Sequence, residues 1–312
     1  MKSNQSCDLY ILSAVTDLDF IEQSIPHQIR NCHVFNGKRN LIIDTAKISG
    51  YFALNRKIDA FDRLLEIAYG FKDKEIIDEV IKMDYNSLDK IHSYAKHFGK
   101  DYPETHCFRG YPYWGSILPI EHSEAKYIAH LDSDMIVYQS PDYSWIDEAI
   151  QLMEENPDIL CVLPLSGPPR ADGKLFQADN IYSYDSDRDA YLFKDFTSRI
   201  FVLNKERFLS LCPMKISWLS WREPFYSLIF RKGKMLCWEV TVTKALERSS
   251  LFRADLASPK AWSLHPGERG NQFNELLPMI IENVEKGVFP LSQAGHYDLD
   301  LDSWEDFLKC KH

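Results

Sequence analysis

YIAHLDSDMIV, residues 127–137, is the stretch on which the reading of this chain turns. Mostly apolar residues lead into Asp132-Ser133-Asp134, and mostly apolar residues lead away. A continuous apolar run this short reads as a buried strand. Two carboxylates inside such a run are unfavourable to bury unless something pairs with them. A divalent cation is a suitable partner, since Mg²⁺ and Mn²⁺ take carboxylate oxygen and usually hold phosphate oxygens as well. Residues i and i+2 of a strand point the same way, so Asp132 and Asp134 would converge on one ion. Asp-x-Asp pairs also occur in solvated loops; the apolar flanks on both sides distinguish this one.

Working outward, the chain has 312 residues, enough for one large α/β domain or two small ones. A 45% hydrophobic content supports a sizeable core. A formal net charge of −10 argues against non-specific nucleic-acid binding, which needs Lys and Arg against phosphates. Seven cysteines (Cys7, Cys32, Cys107, Cys161, Cys212, Cys237 and Cys310) are scattered without a Cys-x-x-Cys, so free thiols in a reducing compartment are expected. No apolar signal core opens the chain and no stretch reaches eighteen apolar residues, so the expectation is a cytoplasmic protein without a transmembrane segment.

Residues 8–16 read as a first strand, followed by Asp17 and a helix-like stretch to about Cys32 that Pro26 shortens or kinks. Residues 40–46 read as a second strand ending at Asp44. Together these form a strand–helix–strand unit, which argues for a parallel sheet, and ligands bind at the carboxyl ends of such strands. Asp17 and Asp44 fall at that edge, where either can also cap its own turn. Helical packing faces are read over 57–69, over 74–82 through Ile76, Ile77, Val80 and Ile81, and over 87–98 through Leu88, Ile91, Ala95 and Phe98. His92 and His97 are read as surface residues. Residues 108–119, FRGYPYWGSILP, read as an aromatic loop able to stack on a ring and place Arg109 near phosphate.

Past the acidic pair, Ser144 and Asp147 resemble a capping box for a helix that stops at Asn156-Pro157. Residues 159–165 and 199–204 read as strands, and 175–198 as a strand–loop excursion. Trp218 and Trp221 suit a core-facing helical pair better than a sugar platform. Residues 234–238 read as a strand leading to Glu239, then a last strand near 250–258, His265 before Pro266-Gly267, and a helix over 272–287.

The DSD stretch resembles the DXD motif of GT-A-fold glycosyltransferases, where a strand leads into Asp-x-Asp and the motif holds Mn²⁺ or Mg²⁺ against the diphosphate of a nucleotide sugar. The resemblance spans residues 8–270 in order, and only the DXD stretch is specific. It implies a mixed, mostly parallel α/β sheet flanked by helices, in one domain over 1–312. Within it, 8–140 form a nucleotide-sugar half, 141–270 an acceptor half, and 271–312 a C-terminal helix and tail. It further implies Asp132 and Asp134 as metal ligands with His265 as a third, and Asp44, or less so Asp17, against the nucleoside. Arg109 and Arg269 fall near the diphosphate. Glu239 would be the base that deprotonates the acceptor, although the usual Glu-Asp pair is absent and Glu223 competes. An inverting transfer is preferred over a retaining one. The donor expected is a UDP-sugar, and the acceptor a glycan, a lipid-linked acceptor or a small molecule; a lipid-linked one would bring peripheral membrane contact. A sugar nucleotidyltransferase would show a Gly-rich, basic loop after the first strand, where TDLDFIEQS stands instead. A non-catalytic binding protein on the same fold is the other alternative.

Overall fold

The computed structural model describes residues 6–32, 37–46, 60–176, 182–219 and 235–310. The N-terminal part runs β1 (Cys7–Ser13), α1 (Ile21–Asn31), β2 (Arg39–Ile43), α2 (Phe61–Asp73), β3 (Glu79–Lys82), α3 (Leu88–Phe98), α4 (Tyr113–His122), β4 (Tyr127–Asp132) and β5 (Ile136–Gln139). There follow α5 (Trp145–Glu155), β6 (Ile159–Leu163), β7 (Leu165–Ser166), β8 (Tyr182–Asp185), β9 (Ala190–Phe193), β10 (Ile200–Asn204) and α6 (Lys205–Leu209). The chain closes with α7 (Trp238–Glu247), β11 (Phe252–Leu256), β12 (Ala261–Pro266), α8 (Asn271–Glu285), β13 (Asp298–Leu299) and α9 (Leu301–Lys309).

One nine-stranded sheet has the order β3-β2-β1-β4-β10-β6-β11-β9-β8. Among its strands only β10 and β9 run against the others, so the expected mixed, mostly parallel α/β sheet is present. Every residue of β6 and β10 is buried, as a sheet covered on both faces requires. Each fully buried Ile, Leu or Val there contributes about 1.5–3 kcal/mol. A smaller sheet, β13-β12-β5 with β7 beside β12, adjoins it.

The apolar run around the acidic pair is not one strand. It ends in the large sheet at Asp132, turns, and resumes as β5 in the small sheet. Ser133 N donates to Leu12 O at 3.0 Å and Met135 N to Asp132 O at 3.1 Å, which closes the turn. The Gln28 amide donates to both Asp132 O and Met135 O at 2.9 Å. Both segments are buried, so hydropathy alone shows no break between them.

Other expectations are corrected in the same way. Pro26 lies inside an uninterrupted α1. Residues 79–82 are a strand, not part of a helical face, because α2 ends at Asp73. On α3 the buried face carries Lys90, Ser93, Tyr94, His97 and Phe98, while Leu88 and Ile91 are exposed. His97 is therefore buried, with Nε2 2.8 Å from Glu121 Oε1. The aromatic stretch is helical from Tyr113 on; α4 is buried through Ile120, so it lacks a polar stripe to reveal its period. A Cβ on Gly115 would stand 3.1 Å from the Leu12 side chain, so α4 packs closely on β1 at this glycine. In place of the strand read over 234–238, Met235 makes an isolated bridge to Trp218 and α7 begins at Trp238. Trp218 is 41% exposed and not a core residue; Trp221, Glu223 and residues 57–59 of the first helical face lie outside the described residues. The C-terminal tail adds β13 and α9 to the fold. No helix among the described residues is long and apolar enough to cross a membrane.

Candidate functional site

The carboxyl ends of β1, β2 and β4 open onto one cleft. Its walls include Asp17, Asp44, Arg109, Asp132, Asp134, Glu239, His265 and Arg269, all eight residues singled out from the sequence. Arg199, His106 and Tyr111 join them.

Asp17 sits in the turn after β1 and is buried. Its Oδ2 accepts from Ala14 N at 2.9 Å and from Ser133 Oγ at 2.8 Å, and its Oδ1 from Thr16 Oγ1 at 2.7 Å and Arg269 Nη1 at 3.2 Å. It thus joins the β1 turn to the acidic corner. Burial pushes its carboxyl up, and the Arg269 charge pulls the other way. Asp44 follows β2. Its Oδ1 accepts from Ala46 N at 2.8 Å and Tyr85 Oη at 2.7 Å, and His106 Nε2 stands 3.4 Å from Oδ2. It caps its own turn and faces the cleft at once.

At the corner, Asp132 is 34% exposed with Oδ1 3.5 Å from His130 Nε2, whereas Asp134 is 4% exposed. Asp134 Oδ2 lies 3.1 Å from Arg269 Nη1 and 4.0 Å from His265 Nε2, and its Oδ1 is buried without a hydrogen-bond partner among the described residues. Arg269 stands in the connection from β12 to α8 and bridges Asp17 to Asp134. His265, on β12, has Nδ1 3.5 Å from Asp298 Oδ1. The His265 ring holds the Asp298 carboxyl below the usual range. A carboxylate behind an imidazole sets which ring nitrogen faces a ligand. Asp298, in the C-terminal tail, reaches His265 because β13 pairs with β12, a pairing that has no local sequence signal.

Asp132 ends β4 and Asp134 lies in the turn after it, so the two are not i and i+2 neighbours of one strand. Among the described residues, no group of three or more His, Cys, Asp or Glu is drawn close enough to hold a metal ion. The donor types at the corner, two carboxylates and an imidazole, nevertheless suit Mn²⁺ or Mg²⁺, and Asp134 Oδ1 has no hydrogen-bond partner among the described residues.

Glu239 occupies the first turn of α7 and is half-buried. Burial pushes its carboxyl pKa up, against Arg199 and a hydrogen bond from Thr197. Glu239 and Arg199 also line a second cavity with Ser166, Asp195, Thr197, Arg253 and Tyr297. Arg199 immediately precedes β10, whose antiparallel register sets its carbonyl to accept from Asp132 N at 2.8 Å. No sequence signal singled out Arg199, because its neighbour is brought in by a strand 70 residues away in the chain, roughly. Arg253 is buried, bidentate on Asp255 at 2.8 and 3.0 Å, with Nη1 2.8 Å from Asp195 Oδ2. Glu223 falls outside the described residues and enters no comparison with Glu239.

No family model matches the chain, and no curated protein matches it in sequence. Among solved structures, it is similar to the crystal structure of S. aureus TarS, with 8% identity, a TM-score of 0.40 and 88% of this chain covered. The chain spans 39% of the length of that protein.

Proposed function

We propose that the chain is a glycosyltransferase that moves a sugar from a nucleotide diphosphate sugar, UDP-linked in the favoured reading, to a hydroxyl of a glycan, lipid-linked or small-molecule acceptor. The observation that carries this reading is the meeting of Asp44, Arg109, Asp132, Asp134, Glu239, His265 and Arg269 in one cleft at the carboxyl ends of parallel strands. Open α/β sheets bind ligands at that edge.

In this reading Asp44, with His106 beside it, faces the nucleoside, and exposed Tyr111 offers a ring face to the base. Arg109 and Arg269 receive the diphosphate. Asp132, Asp134 and His265 are the residues that would hold Mn²⁺ or Mg²⁺. A bound ion of that kind lends Lewis-acid character to the departing diphosphate. The acceptor enters from the second cavity, which shares Glu239 and Arg199 with the cleft. Glu239 takes the proton from the attacking hydroxyl, a role suited to a carboxylate whose pKa burial has raised. Direct attack gives inversion. The cytoplasmic setting, with contact at a membrane surface for a lipid-linked acceptor, belongs to the same proposal.

One observation favours a second reading of charge balance. Arg269 Nη1 already stands 3.1 Å from Asp134 Oδ2 and 3.2 Å from Asp17 Oδ1. Here fixed guanidinium groups of Arg269, Arg199 and Arg109 would balance the diphosphate.

A thermal-shift screen of nucleotides and nucleotide sugars, with Mn²⁺ and with chelator, tests both. A ligand at a hundred times its Kd adds about 2.7 kcal/mol. A metal-dependent shift with a diphosphate nucleotide supports the first reading. A shift unaffected by chelator supports the guanidinium reading. No shift with any nucleotide, in folded protein, would withdraw both in favour of a non-catalytic binding role.

A further inference from the structure

Cys107 and Cys237 lie 130 positions apart in the chain, yet their sulfurs are 3.2 Å apart. Cys107 is buried in the segment between α3 and α4; Cys237 caps α7, is half-buried and lines the cleft. The backbone holds the two segments together on both sides of the pair. Phe108 N donates to Met235 O at 2.9 Å, and Tyr113 Oη donates to Leu236 O at 2.5 Å. The pairing of these thiols is thus built into the fold and independent of any ligand.

We propose that Cys107 and Cys237 form a reversible disulfide that clamps the loop carrying Arg109 to the start of the helix carrying Glu239. Both thiols are free in the structure. A disulfide needs sulfurs about 2.05 Å apart, so closing the bond asks for about 1.1 Å of approach.

The local electrostatics favour the chemistry. The Cys107 thiol is lowered to about 6, first by the hydrogen bond from Cys237 and then by the amides of Tyr111, Arg109 and Gly110. Cys237 is raised, chiefly because it serves as that donor. One proton is therefore shared by two sulfurs near neutral pH, and the thiolate is the nucleophile in exchange.

The oxidant is a small disulfide such as glutathione disulfide, which reaches Cys237 through the cleft. The shared proton passes from Cys237 to Cys107 across the 3.2 Å contact, and the Cys237 thiolate, the sulfur that lines the cleft, attacks one sulfur of the oxidant and expels one glutathione thiolate. Cys107 then loses its proton and attacks Cys237 Sγ, expelling the second. One S–S bond forms in the protein and one is reduced to two thiols; two electrons pass to glutathione, with one proton from the cysteine pair and one from solvent. Excess thiol reverses both steps. The clamp ties Arg109, Gly110 and Tyr111 to the α7 terminus, so oxidation would fix one rim of the cleft.

The test equilibrates the full chain in glutathione buffers from fully reduced to fully oxidised, quenches with acid, alkylates, and maps peptides by mass. The linked Cys107–Cys237 peptide is expected to rise from none to the majority form, to vanish with dithiothreitol, and to be absent in Cys237→Ser. Glutathionylation of exposed Cys310 reports that the oxidant was active. Limited trypsin digestion after exposed Arg109 should slow by at least about tenfold in the linked form, as loop closure by a cross-link implies. Full alkylation of both cysteines while Cys310 is modified, or links only to other cysteines, would overturn the disulfide. A linked form cut after Arg109 as fast as the reduced form would overturn the clamp.

Discussion

Arg269 Nη1 lies 3.1 Å from Asp134 Oδ2, so the more buried aspartate of the acidic corner is held by a guanidinium that also reaches Asp17. A cation at that point makes a buried Asp134 tolerable, and it places positive charge where a diphosphate would arrive. Arg269 is thus positioned to exchange one anion for another.

Asp134→Asn keeps the side-chain volume and removes the charge. Turnover of the proposed transfer should fall about a thousandfold, roughly 4 kcal/mol of barrier. Steady-state kinetics with the donor identified by thermal shift, alongside circular dichroism, make the check. Near-normal turnover in a folded variant would take Asp134 out of the mechanism. Arg269→Ala should weaken nucleotide binding by about 1.5–3 kcal/mol, the range for hydrogen bonds to charged groups.

Glu239 has its carboxyl pKa raised above the ordinary 4.5, chiefly by burial. A general base works only when deprotonated. The rate should therefore fall as pH is lowered through this raised value, and kcat/KM plotted against pH should show an acid limb above 4.5. Glu239→Gln should abolish the limb and lower kcat by about 10²–10⁴. An unchanged limb in that variant would assign it to another group.

Gln28 fixes the acidic corner without touching the cleft, by donating to the carbonyls of Asp132 and Met135. Gln28→Leu removes both bonds and should cost about 1–3 kcal/mol, read as a lower urea midpoint at constant slope. Nucleotide affinity should drop with it, because the corner that orients Asp132 and Asp134 loosens. Loss of stability with affinity untouched would separate the two roles.

His27 and Glu285 predict the response of stability to acid. Val137 N donates to His27 Nε2 at 3.1 Å, so the ring proton is on Nδ1, 2.8 Å from Glu285 Oε1. Hydrogen bonding to His27, with Arg30 in support, lowers the Glu285 carboxyl from 4.5 to about 2. Its folded value lies below its unfolded one, so its contribution is fully present above pH 4.5 and fades as pH falls towards 2. Burial lowers His27 as well, which adds the same sign from about its ordinary 6.5 downward. Chemical denaturation from pH 7 to 3 should show a smaller loss in Glu285→Gln than in the parent protein.

How far the sequence reached depends on whether a signal was local. The strand–helix–strand opening was legible because alternating apolar runs and polar breaks are local, and β1 and β2 do pair in parallel. The Ser144 cap was legible for the same reason; its side chain accepts from Asp147 N at 3.2 Å. α4 was hidden because a helix buried through eight successive residues shows no amphipathic stripe. The misplaced face of α3 has a related cause: Leu88 and Ile91 are apolar but exposed, while Lys90 is buried by reaching Asp101 at 2.7 Å.

By itself the sequence determined which chemistry the chain carries: an acidic pair in an apolar run, arginines beside glycines, and a late histidine and glutamate. Only the tertiary structure decided that these meet, because the cleft is assembled from strand ends and loops far apart in the chain. It also decided how they meet. Asp132 and Asp134 sit at a corner between two sheets instead of along one strand, since Leu12, Gln28 and the β5–β12 pairing turn the backbone there. Arg199, Asp298 and the Cys107–Cys237 pair join the site only through strand pairing and backbone hydrogen bonds, and those carry no trace in any single stretch of residues.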